Sequence, residues 1–259
     1  MQRKSTFIVL EFILSLLLLT SCNLPSRQPI HTQTPTPIAI SIATIDTPTP
    51  AASLCDNQYF PNSVGDSWEY SGNNTATGTY TRTDTITNSD ADAFSMESKL
   101  AGMTYSVEYT CTIAGLIAVN PIQQYLGALL TGPDAPVNVI LISNSGISLP
   151  AKITPGDSWQ QMAEWEASAK DFAMNGRFVF NYTAAGYESI TVPYGSFDAL
   201  RVNAIIRVEI SSFRILAGTY ETITWMVPNV GIIKSEGSSH VPGLDFADSL
   251  ELTSYTPSP

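Results

Sequence analysis

The sequence predicts a mainly β domain: an antiparallel, strongly curved sheet or half-barrel with at most one or two short helices. Three observations predict it. Residues alternate apolar and polar with a period of two over several long stretches, which marks strands with one wet and one buried face. Helical spacing is confined to a single short segment. Charged residues make up only 14% of the chain, while Thr and Ser are abundant, as suits β structure outside the cytoplasm.

The chain opens with Arg3 and Lys4, an apolar run from Phe7 to Leu19 broken by Glu11 and Ser15, and then Leu19-Thr20-Ser21-Cys22. This order of charge, apolar run and small residues is that of a secretory signal, and the run is short and polar for a span of ~20 residues. The last four residues resemble the lipobox of bacterial lipoproteins. That resemblance implies a signal peptide over residues 1–21, a lipid on Cys22, and an extracytoplasmic protein anchored to the cell membrane or outer membrane. Residues 22–54 follow as a linker. Two Thr-Pro-Thr-Pro tetrads, at 34–37 and 47–50, favour an extended spacer.

A single β-rich domain is expected over residues 55–254, with residues 255–259 as a disordered tail. Thr occupies every odd position from 77 to 87, a wet strand face. Tyr105, Val107, Tyr109 and Cys111 share one face, opposite Thr104, Ser106 and Glu108. Val202, Ile206 and Val208 share another, opposite Arg201, Asn203 and Arg207. Leu244, Phe246, Leu250 and Leu252 line a last strand, with Asp248 as the odd charge among them. A sheet rim or bulge that lets Asp248 reach water is the expectation there. The segment 159–170 fits either period and is read as strand. Apolar residues at 122, 125, 126, 129 and 130, between Pro121 and Gly132-Pro133, predict the one helix. Alternation places Tyr105, Val107, Tyr109, Val202, Ile206, Val208, Trp225 and Phe246 on the inward face, as packed core or as the lining of a ligand cavity.

With Cys22 assigned to lipid, Cys55 and Cys111 remain as a pair in an oxidising compartment, and a disulfide between them is the economical reading. No Cys/His cluster exists to hold zinc, and no cofactor or metal site is expected. Removing residues 1–21 takes away two basic residues and one acidic one. The remaining 12 − 2 = 10 Lys+Arg and 23 − 1 = 22 Asp+Glu give a net charge of −12. Such a surface repels phosphate backbones, so nucleic acid is not an expected partner. The membrane is reached through the lipid, and a protein or an apolar small molecule is the open partner class.

Gly65-Asp66-Ser67-Trp68 recurs as Gly156-Asp157-Ser158-Trp159. Gly and Asp make a turn and the Trp enters a strand; a duplicated half-sheet or reuse of one turn type accounts for it. Tyr59-Phe60-Pro61, the first of these tetrads, Cys111 to Leu116, Ile190 to Val202 and Trp225 to Gly231 occur in an order that resembles the TapB-like envelope proteins. The resemblance spans most of residues 55–254. It implies a mainly antiparallel β domain in proteins that are often lipoproteins, and it carries over no catalytic residue.

Two chemistries compete with turn and surface roles for these residues. Gly-Asp-Ser opens one esterase family, so Ser67 and Ser158 are candidate nucleophiles, which need a histidine base oriented by a carboxylate. His31 lies in the linker, and Gly237 stands three residues before His240, where that family has Asp. Glu164 and Glu166 near Trp159 and Trp165 suit sugar chemistry, yet i and i+2 on a strand share one face, usually the solvated one. The expectation is therefore a non-enzymatic envelope lipoprotein with a binding or structural β domain. A carrier or sensor of an apolar ligand in a half-barrel cavity is the alternative, and a hydrolase using Ser67 or Ser158 stands behind it.

Overall fold

The structure, a computed structural model, describes residues 53–100, 102–121, 138–169, 172–210, 215–240 and 245–259. The leader, Cys22, nearly all of the linker, the segment read as a helix and Leu244 lie outside the described residues.

Thirteen strands are present among the described residues: β1 (Ser67–Asn74), β2 (Gly78–Ser89), β3 (Ala93–Leu100), β4 (Met103–Thr112), β5 (Gly115–Ala118), β6 (Asn138–Gly146), β7 (Leu149–Pro150), β8 (Ser158–Ala169), β9 (Phe172–Val192), β10 (Gly195–Ile210), β11 (Ile215–Val227), β12 (Gly231–His240) and β13 (Phe246–Thr256). They form one sheet in the order β6-β8-β9-β10-β11-β12-β13-β1-β2-β3-β4-β5-β7, and every pairing is antiparallel. The sheet is strongly curved and not closed. Segment 159–170 is strand, as β8.

The two edges approach each other without a ladder. Asn144 Nδ2 donates to Ala118 O at 2.7 Å, and Gln161 Nε2 donates to the same carbonyl at 3.0 Å. Ser148 Oγ donates to Gln161 Oε1 at 2.6 Å and accepts from Ala118 N at 2.7 Å. Side chains thus meet the backbone polar groups that an open edge leaves unpaired.

Residues 53–66 plug one end of the sheet. Cys55 is bonded to Cys111 on β4, with Cα atoms 4.9 Å apart. Gln58 O accepts from Asn229 N at 2.7 Å in the β11–β12 turn, and the Tyr59 hydroxyl meets that of Tyr187 on β9 at 3.1 Å. Cys55 and Tyr59 are buried with Trp68, Tyr70, Phe94, Leu116, Leu200, Ile233 and Leu252 in the larger core cluster. A second cluster, Ala163, Trp165, Ala167, Phe178, Phe180 and Ile206, lies along β8, β9 and β10.

The repeated tetrads fold alike. Gly65 and Gly156 take φ of 98° and 96°, in the left-handed region that glycine tolerates best. Asp66 Oδ2 accepts from Ser63 N at 2.9 Å, and Asp157 Oδ2 from Thr154 N at 2.8 Å. Trp68 stacks on Tyr255, and Trp159 on Tyr182. The stretch read as a tail differs from expectation. β13 runs through Thr256, because Tyr255 packs on Trp68 and the Ser258 amide donates to Asp66 Oδ1 at 2.7 Å.

Candidate functional site

Directly opposed residues of an antiparallel pair share a face, so the register maps the inner face row by row. One row runs Tyr182, Ala204, Thr222, Gly237, Asp248, Asn74; the next runs Phe180, Ile206, Tyr220, Ser239, Phe246. In the first row the residues on β10, β11 and β12 are small, and they lie between walls of larger side chains on β9 and on β13 and β1.

The first wall is aromatic. Phe178, Phe180 and Tyr182 stack in succession along β9, with ring centroids 6.0 and 6.5 Å apart. Trp165 tilts against Phe178 at 6.3 Å. Trp165 is 2% exposed, and its Nε1 is the one buried side-chain N or O among the described residues without a hydrogen-bond partner. Leaving a buried donor unmet costs about 1–3 kcal/mol.

The second wall is polar and lies on β13, β1 and β2. Tyr80 donates its hydroxyl to Asp248, 3.0 Å from Oδ1 and 2.9 Å from Oδ2, and Asn74 Nδ2 donates to Oδ1 at 3.2 Å. Burial, and then Asp248, push the Tyr80 phenol well above its ordinary pKa. Burial and the Asp248 charge push Tyr220 up to about 12. Both phenols therefore stay protonated at neutral pH. Beside them, Arg82 grips Asp84 with Nε–Oδ1 at 2.9 Å and an N–O contact to Oδ2 of 2.8 Å. Ser98 Oγ donates to Asp84 Oδ1 at 2.7 Å. Arg82 and Asp84 occupy the even positions of the Thr stretch, so the alternation that sends Thr outward sends this pair inward.

The eight residues read as inward-facing separate into groups. Val107, Tyr109 and Val202 belong to the larger cluster, and Ile206 and Val208 to the second. Phe246 packs on Tyr220 with centroids 6.0 Å apart, and Tyr105 pairs with Ser98 on the inner face. Trp225 is a buried member of the larger cluster, and the register pairs it with Arg201 and Lys234. Its Nε1 donates to Glu188 at 3.0 Å, and Lys234 Nζ lies 5.5 Å over its ring. Asp248 reaches Tyr80 and Asn74 and is half-buried.

The candidate catalytic groups are engaged or separated. Ser67 Oγ contacts Asp84 O and Thr85 Oγ1, and Ser158 Oγ contacts Thr183 Oγ1 at 3.1 Å. His240 lies by Ser238. Glu164 and Glu166 pair with outer-face positions, while Trp159 and Trp165 face inward, so these carboxylates and indoles form no common site. A concavity of about 650 Å³ lies over β10–β13 and β1, lined by Asn73, Asn203, Ile205, Glu221 and Glu236 and also by Thr222, Gly237 and Asp248 of the first row. None of the eight inward-read residues lines it.

Residues 138–241 match the model of a family described as DUF3108-like. No curated protein matches the chain by sequence. Among solved structures, a Bacteroides fragilis protein described as exported and of YmcC-like fold superposes with a TM-score of 0.51 at 15% identity, covering 78% of this chain and 100% of that one. A Parabacteroides distasonis protein described as a lipoprotein gives 0.48 at 14% identity over 78% and 99%. The Escherichia coli protein YmcC, described as a hypothetical lipoprotein, gives 0.36 at 11% identity over 78% and 87%. At such identities the first likeness shows a shared fold.

Proposed function

We propose that this chain is an exported, non-enzymatic protein, anchored by lipid on Cys22, whose β domain binds an apolar small molecule against its inner face. The buried Trp165 indole N–H carries the reading. It sits in an aromatic wall and lacks an acceptor among the described residues, so an apolar ligand with one acceptor atom would relieve a cost these residues leave unmet. The leader order and the resemblance to TapB-like envelope proteins support the extracytoplasmic part, as does the fold shared with a protein described as exported. The partners of Ser67 and Ser158, and the opposite faces of Glu164 and Trp165, support a non-enzymatic role.

Native mass spectrometry of the full chain purified from its host tests this. A co-purifying small molecule is expected, together with a melting temperature that rises with host lipid extract in the wild type and rises less in Trp165→Phe. An adduct-free protein indifferent to the extract would replace binding by a structural role. The groove over β10–β13 and β1 favours that second reading, in which charge reversal at Glu221 and Glu236 would disturb an envelope assembly.

A further inference from the structure

We infer that the Asp248 corner of the inner face receives an ammonium group carried by the apolar ligand; this rests on the binding role proposed above. Charge leads there first. Of the described strand side chains that the register places on the inner face, three carry charge: Arg82, Asp84 and Asp248. Arg82 and Asp84 are paired with each other, which leaves the Asp248 carboxylate without a countercharge.

Geometry leads there next. Among the described residues, Asp248 Oδ1 accepts from Tyr80 and Asn74, and Oδ2 from Tyr80. A carboxylate has about four acceptor directions, so Oδ2 retains capacity. Two tyrosine rings flank it. Tyr80 lies against Gly72 and Tyr220 against Gly237, in space that a side chain at either glycine would need. Both rings thus lie against the sheet backbone, and Tyr220 packs on Phe246. A carboxylate among aromatic faces is the chemistry that recognises ammonium cations, including quaternary ones. A hard dication is a poorer fit, since it asks for six to eight oxygens.

Three probes with one tail test the inference: hexyltrimethylammonium, hexanol and hexyl sulfate. They are titrated by calorimetry into the full chain, held in a steroidal glycoside detergent that has no alkyl chain. The ammonium is expected to bind roughly ten-fold tighter than the alcohol, and the sulfate weaker than either. In Asp248→Asn the ammonium advantage should fall to about two-fold or less while hexanol affinity holds. Should that variant not fold, Tyr220→Leu takes its place and should lose part of the advantage. Equal affinity for ammonium and alcohol, or an advantage untouched by the variants, overturns the ammonium site and leaves the apolar-ligand reading standing. Failure of all three probes to bind overturns both.

Discussion

Replacing Asp84 with Ala tests how the inner face carries its charge. Asp84 is 4% exposed and accepts three polar contacts of 2.7–2.9 Å, two from Arg82 and one from Ser98. Truncation leaves a guanidinium facing inward with no countercharge, and leaves the Ser98 hydroxyl without its acceptor. Breaking a buried pair in this way costs about 3–5 kcal/mol, a large share of the 5–15 kcal/mol that typically holds a domain folded. The Arg82 side chain is 24% exposed, so water offsets part of the loss and the lower end of that range is expected. The double variant Arg82→Met/Asp84→Leu removes both charges at once. It should lie within about 1 kcal/mol of wild type or above it, because two desolvation penalties vanish with the attraction. Urea unfolding followed by tryptophan fluorescence and by circular dichroism, with coincident transitions, gives the values. An Asp84→Ala loss under about 1 kcal/mol, or a double variant worse than the single one, would refute the assignment of a desolvated pair.

Four further outcomes are expected. Cys22→Ala should leave an unlipidated precursor and abolish stable membrane association; acyl labelling that persists would contradict the lipobox reading. Reducing Cys55–Cys111, which are 56 residues apart, should cost about 4 kcal/mol by the chain-entropy relation, read as a lower urea midpoint. Ile206→Ala should cost about 2–5 kcal/mol, since Ile206 is 2% exposed and packed in the β8–β10 cluster; a smaller loss would indicate that this stretch of the inner face is not close-packed. The Trp225 indole N–H, and then Arg201, hold the Glu188 carboxyl below its ordinary pKa. Its stabilising effect should be complete above the unfolded value of about 4.3 and be lost as pH falls through the lower folded one. Glu188→Gln should remove that part of the acid dependence of the melting temperature.

Local alternation by itself determined the strand faces of β4 and β10, because side chains on a strand switch sides at every residue whatever the partner. It also placed Thr outward along β2, and the two remaining cysteines left one economical pairing, which the structure forms. The repeated Gly-Asp-Ser-Trp tetrad disclosed two equivalent turns, since a positive φ and an Asp side chain returning to the backbone are local demands. Trp225 shows where this stops. On β11 the apolar set Ile223, Trp225 and Val227 packs in the larger cluster although it shares register rows with Arg201 and Lys234, while Tyr220, Thr222 and Thr224 occupy the alternate positions. Only the packing of the sheet decides that, and a bulge after Trp225 shifts the register. Asp248 was legible as an odd charge, but its partners were not. Tyr80 and Asn74 stand 168 and 174 residues away in the chain. They reach the carboxylate because β13 pairs with β1, and Tyr80 on β2 lies across Gly72. The register of strands distant in sequence is set by the packing of the whole sheet, so the surroundings of Trp225 and the company of Asp248 were decisions of the tertiary structure alone.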